Sequence, residues 1–111
     1  MIQRDFGFGR FFISGSGFGP VALGDLTFRE RFERNMDLRP KKIAWMNQVH
    51  GKQITYVNAD AKDGELIAET DGLWTDQPGI MLVTKTADCV PLLLWNKKVR
   101  IVAALHCGWR G

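Results

Sequence analysis

The residues with the widest chemical reach sit in three short stretches: Asn47-Gln48-Val49-His50-Gly51, Thr86-Ala87-Asp88-Cys89-Val90-Pro91 and His106-Cys107-Gly108-Trp109-Arg110-Gly111. The chain has only two histidines and two cysteines, and all four fall in these stretches. Imidazole nitrogen and thiolate sulfur are donors that zinc prefers, and a catalytic zinc usually has three protein ligands and one open position. His50, Cys89 and His106 form such a set. They are far apart in the sequence and lack the close Cys-x-x-Cys pair of a zinc finger, so the fold would have to build the site. On residue types and spacing alone two readings stay open. One is a convergent metal site; the other is two hydrogen-bonded structural histidines and an ordinary core cysteine.

The neighbours of these residues widen the chemistry. Asp88 could orient a ligand or move a proton, or simply make a structural hydrogen bond. Gln48 could contact substrate or steady His50. Arg110 offers a planar, permanently charged fork suited to phosphate. Gly108 and Gly111 would let backbone amides approach an anion closely. Trp109 could stack on a base or wedge the turn into the core. Cys107 follows His106 directly, so in an extended strand it should point to the opposite face and pack rather than ligate. A disulfide between Cys89 and Cys107 is possible on count, but free thiols or a thiolate ligand fit the polar surroundings better.

Strand ends must position these groups. Ile101-Val102-Ala103-Ala104-Leu105 reads as a buried strand that delivers His106 to a glycine turn. Ile43-Ala44-Trp45-Met46 is a strand running into the first histidine stretch, and Ile54-Thr55-Tyr56-Val57 is another. Asp71 to Thr75 returns the chain to the core after a polar stretch, residues 58–70, that reads as a loop. Gln77-Pro78-Gly79 is a turn before the apolar strand Ile80–Thr84. Val90–Trp95 is a strand joined to Arg100–Leu105 by a tight hairpin at Asn96-Lys97-Lys98. Residues 27–38 read as a helix, with Thr27 as N-cap, Glu30 completing a capping box, and Pro40 ending the segment. Phe11-Phe12-Ile13 is a short strand. Gly17, Gly19 and Ala22 match a loose dinucleotide fingerprint, but Pro20 and the lack of a following helix argue for a plain loop. The pattern is α+β: a mixed, largely antiparallel sheet with one N-terminal helix.

Composition sets outer bounds. The chain has 111 residues, 45% hydrophobic and 24% charged, which suits one globular domain with a modest core. No apolar run is long enough to span a membrane, and Met1–Asp5 has no signal-peptide core, which points to the cytoplasm. The net charge of +3 would favour an anionic ligand. The lysine pairs at 41–42 and 97–98 form no basic stripe, so nucleic acid is not an expected partner.

The three stretches, in this order, resemble the laccase-domain family, also called multicopper polyphenol oxidases or YfiH-like proteins and described as purine nucleoside phosphorylases. Asp71-Gly72-Leu73-Trp74-Thr75 is similar to the family's Asp-x-x-x-Thr segment, and Arg29 sits where the family has an arginine in its early helix. The resemblance runs from about Ile43 to Gly111 and is weaker over the first 25 residues. It implies that His50, Cys89 and His106 bind zinc, with Asp88, Cys89, His106 and Arg110 as the catalytic set. It also implies purine nucleosides and phosphate as substrates: phosphorolysis of adenosine, inosine and methylthioadenosine, and deamination of adenosine. Zinc lowers the pKa of water enough to make it a nucleophile near neutrality, which suits attack at C6 of adenine. Copper would bind the same donors tightly. True laccase chemistry is disfavoured, because a multicopper cluster needs on the order of ten imidazoles and this chain has two.

Family members are roughly twice this length by the same resemblance, so residues 1–111 are expected to be the N-terminal part of such a domain. Exposed sheet edges would then favour self-association. Two rival functions follow from the same residues. One is a cysteine hydrolase with Cys89 as nucleophile, akin to the peptidoglycan-precursor editing amidase role ascribed to some relatives. The other is a non-catalytic metal-binding fragment.

Overall fold

The structure, a computed structural model, describes residues 2–36 and 38–108. Strand β3 (Lys42–Met46) lies at its centre. Ile43, Ala44, Trp45 and Met46 are all buried, at 3% exposure or less. A strand covered on both faces has no polar side to present, which accounts for its unbroken apolar run. Its alternate residues feed two cores. Ile43 and Trp45 pack with Phe28 and Phe32 of the helix α1 (Phe28–Asn35). Ala44 and Met46 pack with Val57, Leu73 and Ala104.

Strand β3 is flanked by two parallel partners, β5 (Glu65–Ile67) and β7 (Ile80–Val83). The second sheet runs in the order β4 (Ile54–Tyr56), β6 (Gly72–Thr75), β9 (Ile101–Cys107), β8 (Val90–Asn96). Strands β4 and β6 are parallel; β6–β9 and β9–β8 are antiparallel. An antiparallel hairpin, β1 (Ile2–Asp5) and β2 (Arg10–Ile13), completes the set. The described residues therefore form an α+β fold with mixed pairing, in which the antiparallel ladders hold most of the paired residues, and one α-helix, and the strands divide among three sheets instead of one. The hairpin is held by aromatic packing: Phe6 stacks on Trp95 at 4.6 Å, and Phe12 meets Phe32 edge-on at 5.1 Å.

Three local expectations change. Strand β1 is an addition, because its residues Ile2–Asp5 are all exposed and carry no core signal. Strand β5 lies inside the stretch read as loop; its three residues gain their conformation from pairing with β3, a long-range partner that local composition does not reveal. The helix is also shorter than expected, and Thr27 makes no side-chain cap. Instead the Thr27 hydroxyl and amide both donate to Asp25 Oδ1, at 2.7 and 2.8 Å. A local bond to an Asp two residues upstream thus engages the side chain, and its oxygen accepts no helix amide. Residues 16–18 form a 3₁₀ turn, so the glycine-rich segment opens no α-helix of the dinucleotide-binding type.

One glycine is needed where strands crowd. A Cβ on Gly72 would lie 2.5 Å from Leu105 Cδ2 and 3.1 Å from Ile54 Cγ1. Gly72 thus lets β4 and β9 close over β6, and β9 is the strand that delivers His106.

Candidate metal centre

Three segments converge at one end of the four-stranded sheet. His106 comes from β9 and is 5% exposed. His50 comes from the loop after β3 and is exposed; Cys89 lies just before β8 and is half-buried. One donor atom from each of the three lies within 4.8 Å of the others, and the two imidazoles stand 5.1 Å apart at 75°.

Asp71 organises this end. It is 3% exposed, at the start of β6. Its Oδ1 accepts the amides of Val49 (3.0 Å) and Gly51 (2.9 Å). Its Oδ2 accepts the amide of His50 (3.0 Å) and faces His106 Nδ1 at 2.8 Å. Its main chain pairs too: the carbonyl accepts the amide of His106 at 2.7 Å, and its own amide donates to Gln53 at 3.0 Å. Burial alone would raise the Asp71 pKa, but the Gly51 amide, the His106 ring and the Val49 and His50 amides together hold it below its ordinary value. The carboxylate is therefore ionised at neutral pH and can only accept, so His106 Nδ1 carries the proton of that bond. Nε2 is left as the free nitrogen of His106. His50 has a positive φ of 59°, a conformation that costs a non-glycine residue free energy unless its surroundings enforce it. The three amides bound to Asp71 supply that enforcement. Sequence reasoning had noticed Asp71 only as part of the Asp-x-x-x-Thr segment. Its fifth residue, Thr75, is 1% exposed and donates its hydroxyl to the Val57 carbonyl at 2.7 Å, so it ties strands together.

The remaining site residues fall unevenly. Gln48 spends its side-chain hydrogen bonds away from His50: its Nε2 donates to the Lys85 carbonyl (2.8 Å) and its Oε1 accepts the Lys85 amide (2.9 Å). A side-chain amide can satisfy both groups of one peptide, and here it continues the β3–β7 pairing beyond Val83. Asp88 is exposed and makes no hydrogen bond among the described residues. Arg29 bonds Glu33 (3.0 Å), Asp63 (2.7 Å) and the Pro40 carbonyl (2.6 Å), which makes it a clamp between α1 and the segment entering β3. Both cysteines are free, and the ligand cluster leaves Cys107 out. Trp109, Arg110 and Gly111 lie outside the described residues. A cleft of about 730 Å³, lined among others by Phe6, Leu82, Leu93, Trp95 and Arg100, opens at the other end of β8 and β9 and includes none of the three ligands.

The family described as multi-copper polyphenol oxidoreductase laccase matches residues 26–111. The chain belongs to this family. It is 36% identical over 83 residues to a purine nucleoside phosphorylase of Corynebacterium glutamicum, covering 75% of this chain and 34% of that protein. It is 37% identical over 95 residues to one of Streptomyces griseus, covering 86% of this chain and 38% of that protein. Among solved structures it resembles YlmD of Geobacillus stearothermophilus, with a TM-score of 0.67 and 31% identity over 75% of this chain and 33% of that one. The matched part of the chain thus covers only about a third of the length of these relatives.

The residues of this laccase-domain chain fit a bound metal ion. Two imidazoles and a thiolate suit zinc or copper. Gly108 lies directly against them: a Cβ there would sit 3.5 Å from His50 Nδ1, 3.7 Å from Cys89 Sγ and 4.0 Å from His106 Cε1. The missing side chain keeps space beside all three donors.

Proposed function

We propose that this chain carries the metal centre of a zinc-dependent purine nucleoside phosphorylase that also deaminates adenosine. The observation behind this reading is the approach of His50, Cys89 and His106 within 4.8 Å on a chain whose relatives bear that name. His50, Cys89 and His106 would hold the ion. When bound, zinc supplies Lewis acidity that lowers the pKa of water toward neutrality. His106 presents Nε2, because Asp71 occupies Nδ1. Gly108 leaves room for a substrate atom beside the donors. Asp88, exposed and next to Cys89, would exchange a proton with substrate. Arg110, two residues beyond Gly108, supplies a fork for phosphate.

Adenosine, inosine and methylthioadenosine are the proposed nucleosides, with phosphate as acceptor. Copper would compete for the same donors, but phenol oxidation by a multicopper cluster is not supported by a chain with two histidines. No helix among the described residues is long and apolar enough to cross a membrane. A reducing compartment such as the cytoplasm would keep Cys89 available as a thiolate. Strand β8 lies at its sheet's edge with Val90, Leu92 and Leu94 exposed, which supports self-association.

Metal analysis of the purified chain, combined with nucleoside turnover, tests the reading. The expected result is about one zinc per chain, lost in His50→Ala and Cys89→Ala, with phosphate-dependent release of free base from adenosine and inosine. Zinc without turnover would reduce the reading to a metal-binding protein. The proximity of Cys89 to two imidazoles also suits a cysteine hydrolase or amidase. Iodoacetamide separates the two: a ligating thiolate reacts only after chelation, whereas a free nucleophile reacts at once.

A further inference from the structure

We propose that Asp71 is the positioning residue of this centre, setting two of its three ligands before any metal arrives. The proposal rests on the metal-centre reading for its purpose, but its geometry stands without it. Four donors converge on one buried carboxylate, and they belong to both histidine segments. Toward His106, Asp71 fixes which ring nitrogen bears the proton. An imidazole that donates from Nδ1 keeps Nε2 unprotonated, and only an unprotonated nitrogen has the lone pair a metal needs. Toward His50, Asp71 acts through the backbone. It gathers the amides of Val49, His50 and Gly51, and thereby holds His50 in the left-handed conformation that turns it toward His106.

Both effects come from the same atoms, so they should fail together. In Asp71→Asn the side chain offers one acceptor and one donor where two acceptors stood. With its carbonyl toward Val49 and Gly51, its NH₂ meets the His50 amide and His106 Nδ1. It can then only donate to Nδ1, which moves the imidazole proton to Nε2. With the amide reversed, the Val49 and Gly51 amides lose their acceptor. Neither orientation reproduces the native arrangement.

The experiment has two parts. The ¹⁵N chemical shifts of His106 in the metal-free wild-type chain, at about pH 8 where a histidine is ordinarily neutral, report the tautomer directly. A protonated Nδ1 and a bare Nε2 are expected; a protonated Nε2 overturns the proposal. Zinc affinity is then measured by competition with a chromophoric chelator in the wild type and in Asp71→Asn. A loss of about 10- to 100-fold is expected, together with a shift of His106 toward the Nε2–H form. Unchanged affinity with an unchanged tautomer overturns the proposal while leaving the metal-centre reading intact. Should the variant fail to fold, or the wild type bind no zinc, the wild-type tautomer still decides, and in the second case the functional reading falls separately.

Discussion

The two sides of the centre are built differently. His50 and His106 share one buried carboxylate, and the amides around His50 are bound to it as well. Among the described residues Cys89 has no such hydrogen-bonded support. It lies in a segment, residues 84–89, that is held at its root by Gln48 through the Lys85 peptide and becomes exposed from Thr86 to Asp88. One side is a preformed half-site, and the other is a short arm that brings a thiolate to it. This division suits a centre that keeps its histidines aligned while leaving one side open to approach. A network with every acceptor satisfied resists rearrangement, whereas an exposed segment with few hydrogen bonds opens at little cost.

The sharpest way to break the comparison is to delete a ligand from each side. His106→Ala should abolish metal binding and also destabilise the metal-free chain by about 1–3 kcal/mol, since it leaves Asp71 buried without one of its partners. Cys89→Ala should abolish metal binding with a stability change of less than about 0.5 kcal/mol, near the range of an ordinary surface substitution. Urea denaturation of both variants after chelation would show the contrast; equal losses would mean that the two sides are equally rigid.

Gln48→Ala releases the root of the arm. Loss of its two bonds to the Lys85 peptide should cost about 1–2 kcal/mol and raise hydrogen exchange at Lys85 without changing the His106 tautomer. A change at His106 would mean that the arm and the half-site are coupled.

Gly108→Ala probes the space between the sides. The added Cβ lies at ordinary contact distance from His50 and Cys89, so the fold should persist. Zinc affinity should fall by a few-fold, about 1 kcal/mol or less in binding free energy, because the methyl intrudes where the donors face one another. Calorimetry of zinc binding would measure it.

The smallest effect is expected away from the centre, at the Arg29 clamp. Burial alone would raise the Asp63 pKa, but the Ile43 amide and the Arg29 guanidinium hold it below its ordinary 3.8. Because the folded value is the lower one, the contribution is full above about pH 4 and is lost as the pH falls through the depressed value. Stability should therefore decline on the acid side less steeply in Asp63→Asn than in the wild type, while zinc binding near neutrality stays the same. Acid titrations of both, followed by fluorescence of the buried Trp45, would check the slope.

Much of the fold could be read locally. The runs at 43–46, 80–84, 90–95 and 101–105 are dense in apolar residues, and each became a strand, although the run at 90–95 leaves most of its apolar residues exposed. Strands β1 and β5 could not be read this way. Their exposed residues take strand form from the partners they meet, Arg10–Ile13 and β3 respectively. The Thr27 cap was legible as a motif but did not form, since the side chain is engaged with Asp25 instead of the helix amides.

For the centre, the sequence alone narrowed the candidate donors: with two histidines and two cysteines in three ordered stretches, few other sets were available. It also gave a reason, strand alternation, for expecting Cys107 outside the set, and the cluster of donors leaves it out. Only the tertiary structure decided the roles of Asp71 and Gln48. Both are common polar residues whose meaning depends on which distant donors and acceptors reach them. Asp71 became the organiser because β6 and β9 pair at its position and the loop after β3 closes over its carboxylate. Gln48 became a clip because the end of β7 lies beside it. Hydrogen bonds between segments distant in the chain exist only where the strands have paired so as to bring them together, and that pairing depends on the packing of the whole core.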